Sequence, residues 1–254
     1  MLLSAEHISL NFGLKPLLDD VTLYLSQGDK VGLIGINGTG KSSFLRVLAG
    51  QQPPDQGSVT RDPNVQVCFL PQNPPMEAGA TVLEQVFAGF SPDTRALLDY
   101  EAKAMLTRLG LTDFAQPVGT LSGGQRKRVA LAAVLLHPAD VLILDEPTNH
   151  LDSDMVLWLE DRLRKFTGGL VMVTHDRYFL ERVCNRLELS PATPQRCSCL
   201  AISQQESEQA ALASAVHPGG VPRSCGGQGP TEMNKTHSPV WASRPGPAQR
   251  PRGG

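Results

Sequence analysis

Short apolar runs separated by helical periodicity fill the first three quarters of the chain. Residues 30–35 (Lys-Val-Gly-Leu-Ile-Gly), 141–144 (Val-Leu-Ile-Leu) and 170–174 (Leu-Val-Met-Val-Thr) are continuous apolar stretches, as expected of parallel strands covered on both faces. Residues 17–25 and 65–70 instead alternate apolar with polar positions, the pattern of half-buried strands. Helical spacing follows: residues 42–49 open directly from a Gly-rich loop, residues 82–87 and 95–109 form two further stretches, and a helix runs from Ser122 toward His137. A last helix, capped by Ser153 and ended by Gly168 and Gly169, carries Val156, Leu157, Leu159, Leu163 and Phe166 on its apolar stripe. Strand and helix in alternation predict an α/β fold with a mainly parallel sheet flanked by helices. The helical patterns between residues 73 and 137 predict a small helical subdomain. No internal repeat is present.

The pattern breaks near residue 190. Of the 65 residues after Leu189, 25 are Pro, Gly or Ser, and no amphipathic period persists. Such a segment buries too little surface to offset its ordering entropy, so residues 190–254 are expected to be a disordered tail beside a domain spanning 1–189.

Composition narrows the class. An apolar fraction of 41% suffices for a core, and a net charge of -2 with pI near 6.3 provides no whole-chain attraction to nucleic acid or anionic membrane. No apolar run approaches the roughly 18 residues of a membrane span, and the N-terminus lacks the basic start and apolar stretch of a signal peptide. Five cysteines form no paired framework. Cys68 reads as a small buried hydrophobe, and Cys197, Cys199 and Cys225 with His217 match no zinc spacing. A cytoplasmic protein with no direct membrane insertion and no DNA partner is expected.

Three motifs carry chemistry. Residues 35–42 read Gly-Ile-Asn-Gly-Thr-Gly-Lys-Ser, a complete Walker A loop joining a strand to a helix. Gly35, Gly38 and Gly40 allow backbone N–H groups to face phosphate oxygens, and the helix N-terminus adds its positive end. Gly35, Asn37, Gly38, Thr39, Gly40, Lys41, Ser42 and Ser43 are thus the candidate phosphate-binding set, with Lys41 neutralising β/γ-phosphate charge and Ser42 offering a hydroxyl to Mg²⁺. Residues 141–147 (Val-Leu-Ile-Leu-Asp-Glu-Pro) read as a Walker B strand. Asp145 is placed to bind Mg²⁺ through water, and Glu146 to orient or deprotonate an attacking water. Residues 121–125 (Leu-Ser-Gly-Gly-Gln) open a helix whose first turn offers free N–H groups to an anion, with Ser122, Gly123, Gly124 and Gln125 as the contact set. This pentapeptide is the most specific signal, since a Walker A loop alone also admits GTPases, kinases and helicases. The adjoining Arg126, Lys127 and Arg128 read as a solvated basic face of that helix rather than an RNA contact. His7, His137 and His150 take no catalytic role.

Residues 2–189 resemble an ATP-binding cassette (ABC) domain. Residues 145–152 (Asp-Glu-Pro-Thr-Asn-His-Leu-Asp) and 173–180 (Val-Thr-His-Asp-Arg-Tyr-Phe-Leu) are similar to the ABC-F branch, in which two cassettes share one soluble chain acting on ribosomes. Transporter cassettes more often carry Ser-Ala-Leu-Asp where this chain has Asn149-His-Leu-Asp. The resemblance implies a P-loop NTPase fold with an antiparallel β layer near the adenine. It further implies that Phe12 stacks on adenine, that Gln72 links Mg²⁺ and water to the helical subdomain, that His175 is a switch histidine on the γ-phosphate, and that Asp152 lies in a loop communicating across a dimer. The implied activity is ATP binding and Mg²⁺-dependent ATP hydrolysis by a head-to-tail pair of cassettes, homodimeric or heteromeric, in a translation-associated, ribosome setting. Rival readings are an ATP-binding subunit of a transporter, and a truncated cassette without competent ATPase activity.

The chain also departs from that family. The family pattern stops at Leu189, and residues 190–254 do not read as the long charged linker or the second cassette that the resemblance implies. A frame-shifted terminus from about residue 190 is expected; translation of the other two reading frames past codon 189 tests it, and a charged helical linker in neither frame refutes it.

Overall fold

The computed structural model describes residues 1–13, 15–35, 38–189 and 242–243. In chain order these form β1 (Leu3–Phe12), β2 (Lys15–Leu25), β3 (Lys30–Ile34), α1 (Lys41–Leu48), β4 (Gln56–Arg61), β5 (Val67–Leu70), α2 (Val82–Val86), α3 (Pro92–Arg108), α4 (Gly123–Leu136), β6 (Val141–Asp145), α5 (Ser153–Lys165), β7 (Gly169–Val173), α6 (Arg177–Val183), β8 (Arg186–Leu189) and β9 (Ala242–Ser243). Two sheets result. Strands β2, β1 and β4 make an antiparallel layer, and a six-stranded sheet runs in the order β8-β3-β7-β6-β5-β9. Its pairs β8–β3, β3–β7, β7–β6 and β6–β5 are parallel, and β9 alone runs antiparallel, against Val67 and Cys68. The remainder of the expected tail, with Cys197, Cys199, Cys225 and His217, lies outside the described residues.

The parallel strands divide the interior by residue parity. On β6, Leu142 and Leu144 join one apolar cluster with α2, α3, α4 and α5, whereas Val141 and Ile143 join another with α1 and the antiparallel layer. Strands β5 and β7 alternate in the same way: Cys68, Leu70, Leu170 and Met172 face the first cluster, and Val67, Phe69, Val171 and Val173 the second. Burial on both faces explains why these strands read as continuous apolar runs. Because side chains alternate along a strand, the next position on β6 falls on the α1 side, and that position is Asp145.

The antiparallel layer was only partly legible. On β1 the inward residues are Leu3 and Ala5, then Ile8 and Leu10, so the period slips between 5 and 8. The cause is a pair of adjacent register shifts, between Ala5 and Ile8 and between Ile8 and Leu10, at which His7 (φ 56) on β1 and Asp20 (φ 52) on β2 adopt left-handed backbone. The His7 ring nitrogen Nδ1 and Asp20 Oδ1 lie 2.6 Å apart there, and the His7 N–H donates to Thr22 Oγ1. Gly57 of β4 crosses the bulge so closely that a β-carbon there would come within 2.3 Å of the His7 carbonyl oxygen.

Helix ends follow capping chemistry. Thr81 and Glu84 form a capping box on α2, Ser91 caps α3, and Asp152 rather than the expected Ser153 caps α5, its carboxylate accepting from Met155 N at 2.9 Å. Asp152 accepts more strongly than a hydroxyl and sits at the residue whose backbone is still extended. The helix stops at Lys165, short of the glycine pair, and Gly169 begins β7. Leu157, expected on the apolar stripe, is 54% exposed. The inward stripe instead follows Leu159 and Leu163, with Val156 beside them.

Candidate functional site

Lys30–Ile34 ends where the phosphate loop begins, and the loop delivers Lys41 to the first turn of α1. Gly38 (φ 81) and Gly40 (φ 84) are both left-handed, and Gly40 serves as N-cap of α1. At Gly40 a β-carbon would press on the Leu17 carbonyl at 3.0 Å, so left-handed backbone and close strand approach both select glycine there. Asn37 lies outside the described residues. Lys41 is buried, its ammonium donating to the Gly35 carbonyl at 2.7 Å. Burial draws its pKa below the ordinary lysine value, while Glu146 and Asp145 pull it back up.

A cleft of about 480 Å³ gathers Phe12, Gly38, Gly40, Lys41, Ser42, Ser43, Gln72, Asp145, Glu146 and His175. These residues are drawn from the antiparallel layer, the phosphate loop, the turn after β5, the end of β6 and the turn after β7. Phe12 is 77% exposed at the end of β1, so the ring belongs to no core and is free to receive a planar ligand. His175 sits with Nε2 3.4 Å from Glu146 Oε1.

Glu146 is the strained residue of the site. Its φ of 52 is left-handed, a conformation that costs a non-glycine residue about 1–2 kcal/mol. Its N–H donates to the Val173 carbonyl at 2.8 Å, which holds the turn. The side chain is 5% exposed. Desolvation raises its pKa above the ordinary glutamate value, opposed chiefly by His175. Buried Asp145 Oδ1 and Glu146 Oε2 have no hydrogen-bond partner among the described residues. Two orphaned acceptors in the cleft that Ser42 also lines form a hard oxygen set suited to Mg²⁺ and an ordered water. No group of three or more His, Cys, Asp or Glu among the described residues is placed to hold a metal ion by itself, so a cation here would rely on phosphate oxygens for much of its shell. That is the usual habit of Mg²⁺ at nucleotides.

The signature turn is elsewhere. None of Ser122, Gly123, Gly124 and Gln125 lines the cleft. Ser122 caps α4 by accepting from Gln125 N (3.2 Å), while the Gln125 side chain accepts from Ser122 N (2.9 Å), a complete capping box. Asp152 is likewise absent from the cleft, placed at the N-terminus of α5.

The expected basic face of α4 is corrected by the structure. Lys127 is 4% exposed, and its ammonium donates to the carbonyls of Pro71 (2.7 Å), Gln72 (3.2 Å) and Asp145 (2.7 Å). Burial pushes its pKa down to about 8, against the pull of Asp145 and Glu146. Arg128 donates to the Leu109 carbonyl at 2.8 Å. Only Arg126 of the three is exposed. A charge run hid a buried cation because the helical period turns position 127 fully inward, while Arg126 stays exposed and Arg128 is half-buried. Its spacing of three, four and seven positions before the buried Ala130, Leu131 and Val134 was the available signal.

Comparison with known proteins identifies the family. The family model described as ABC transporter matches residues 18–149. The chain is 41% identical over 223 residues to the uncharacterized ABC transporter ATP-binding protein YfmR of Bacillus subtilis, covering 73% of this chain and 36% of that one. It is 35% identical over 205 residues to the energy-dependent translational throttle protein EttA of Haemophilus influenzae, covering 66% and 37%. It thus spans little more than a third of the length of these relatives. Among solved structures, an ATP-binding subunit of an ABC transporter superposes with TM-score 0.69 at 22% identity, covering 85% of this chain and 95% of that one. The dimeric bacterial ABC transporter cassette MJ0796 gives 0.66 at 22%, covering 79% and 100%. No helix among the described residues is long and apolar enough to cross a membrane. Walker loop, signature turn, sheet order and family match agree: the chain belongs to the ATP-binding cassette family.

Proposed function

We propose that residues 1–189 work as one ABC nucleotide-binding domain that hydrolyses ATP only when two cassettes pack head to tail. The observation carrying this reading is the separation of Ser122–Gln125 from the cleft that holds Lys41, Ser42, Gln72, Asp145, Glu146 and His175. One chain supplies a phosphate cradle and a separate anion-binding helix start, and a second copy or a related cassette supplies what each site lacks. Phe12 receives adenine. Gly38, Thr39, Gly40, Lys41, Ser42 and Ser43, with Gly35 and Asn37, hold the phosphates. Ser42, Asp145 and Gln72 are the residues that would hold Mg²⁺, which would supply positive charge to offset that of the phosphates. Glu146 orients the attacking water and takes its proton, which its raised pKa favours. His175 holds Glu146 and faces the γ-phosphate. Ser122, Gly123, Gly124 and Gln125 of the facing cassette close over that phosphate, and Asp152 runs along the joint. The dimeric state of MJ0796 supports the pairing.

The physiological setting is translation, acting on the ribosome from the cytoplasm. Residues 145–152 and 173–180, together with the similarity to EttA, support it. The transporter reading rests on the name of the Bacillus subtilis relative. ATPase rate against protein concentration tests the pairing: a rate strictly first order in protein refutes it. Co-sedimentation separates the settings, since recovery with ribosomes supports translation and recovery only with membranes supports the transporter reading.

A further inference from the structure

Lys127 lies on α4, five positions beyond Ser122, and is absent from the cleft lining. A lysine ammonium has three N–H donors, and here each finds a backbone carbonyl: Pro71, Gln72 and Asp145. These carbonyls belong to the two chain segments that end at the cleft from β5 and β6. The Asp145 oxygen is the more informative. It belongs to the peptide group leading into Glu146, and the torsion that follows this group is the left-handed φ of Glu146. On its other side the same peptide group donates its N–H to the Val173 carbonyl. The peptide is therefore gripped at oxygen by α4 and at nitrogen by β7. A strained turn persists only where its surroundings determine it from more than one direction, and Lys127 is one of the two grips.

Burying a cation is costly, and an apolar residue of similar length would fill the same space. What the apolar residue lacks is the ability to hold three carbonyls from separate segments at fixed positions. We infer that Lys127 is a positioning residue for hydrolysis, fastening the Glu146 peptide and the Gln72 turn to the helix that presents Ser122–Gln125. The catalytic base of one site and the lid offered to the facing site then move as one rigid piece. This rests on the ATPase reading above.

The test uses the full chain and the variants Lys127→Met and Lys127→Arg. Nucleotide affinity, kcat and KM are measured together with hydrogen exchange of the nucleotide-free proteins. In Lys127→Met, ATP affinity stays within about twofold, because the phosphate loop is untouched, while kcat falls at least about tenfold. Lys127→Arg, which keeps charge and donors, recovers most of that loss. Exchange of the Glu146 amide and of residues 70–73 accelerates in Lys127→Met by about tenfold or more, with α1 unchanged. Normal kcat in Lys127→Met overturns the inference, as does acceleration spread evenly over the fold, which marks a stability role alone. If Lys127→Met does not fold, Lys127→Gln, which keeps two donors without charge, is read on the same measurements. Wild-type protein that neither binds nor hydrolyses ATP refutes the ATPase reading, and the exchange pattern then still decides whether Lys127 holds the Glu146 peptide.

Discussion

Two adjacent glycines of the signature turn separate stability from activity. Gly123 and Gly124 are the first residues of α4, where alanine is intrinsically preferred by about 0.8–1 kcal/mol in a helix interior and by less in the first turn. A β-carbon at Gly123 meets nothing within 4 Å. Gly123→Ala should therefore stabilise the isolated chain by about 0.5 kcal/mol, a rise in Tm of roughly 1–2 °C at this size. A β-carbon at Gly124 meets His150 Cβ at 3.1 Å and Cγ at 3.2 Å. His150 Cβ is fixed by its own left-handed backbone (φ 66) and cannot rotate away. Gly124→Ala should cost about 1–2 kcal/mol by overpacking, and His150→Gly, which removes the atom in contact and suits that φ, should restore it. Thermal melts without nucleotide measure these differences. In the ATPase assay the order changes: if the turn closes over the facing phosphate as proposed, both alanines place a methyl there, and Gly123→Ala should lose at least about tenfold in kcat despite its added stability, with ATP affinity of the single chain unaltered. A Gly123→Ala protein that is more stable and fully active would show that this turn closes over no phosphate.

Glu146→Gln should bind ATP normally, lose about 10²–10⁴ in turnover and accumulate as an ATP-bound dimer, whereas Lys41→Ala should weaken binding itself. Normal turnover in the first, or unchanged affinity in the second, removes the assigned role. Because burial raises the Glu146 pKa, its charged form is disfavoured in the fold above the ordinary glutamate range, so near neutral pH the nucleotide-free Glu146→Gln protein should melt no lower than wild type; a clearly lower Tm contradicts the desolvation argument. Burial also pushes the thiols of Cys68 and Cys184 up to about 12, so at pH 8 both should alkylate about a thousandfold more slowly than an ordinary thiol until urea unfolds the chain. Since their folded pKa values lie above the unfolded value, the stability they contribute is complete below about pH 9 and is lost as pH climbs from there toward 12. Labelling of either at the ordinary rate in the native protein, read by peptide mapping, contradicts the burial.

The legible parts of the sequence were those whose pattern is enforced by a single constraint. Val141–Leu144 and Leu170–Val173 are apolar because both faces are covered, and the Walker loop is glycine-rich because backbone must turn left-handed at Gly38 and Gly40. Strand β1 escaped because the bulge at His7 resets the alternation, and a period interrupted by one residue resembles no period at all. Helix α6 is only seven residues long, too short to establish a stripe. Lys127 escaped for a different reason: a buried cation satisfied by backbone carbonyls leaves no complementary acidic residue in the sequence to announce it. The family resemblance places Asp152 in a loop communicating across a dimer, and the Ser153 reading concealed that Asp152 caps α5.

The division of the interior by odd and even positions makes the counting of residues on β6 a chemical matter. Deleting one residue between 141 and 144 would exchange the side chains feeding the two cores and would also send the Asp145 carboxylate toward the helical side of the sheet, away from the cleft that Ser42 lines. Substitutions along this strand can be graded in severity, but changes in its length cannot. Insertions and deletions that the surrounding loops accommodate would here abolish folding and phosphate chemistry in one stroke.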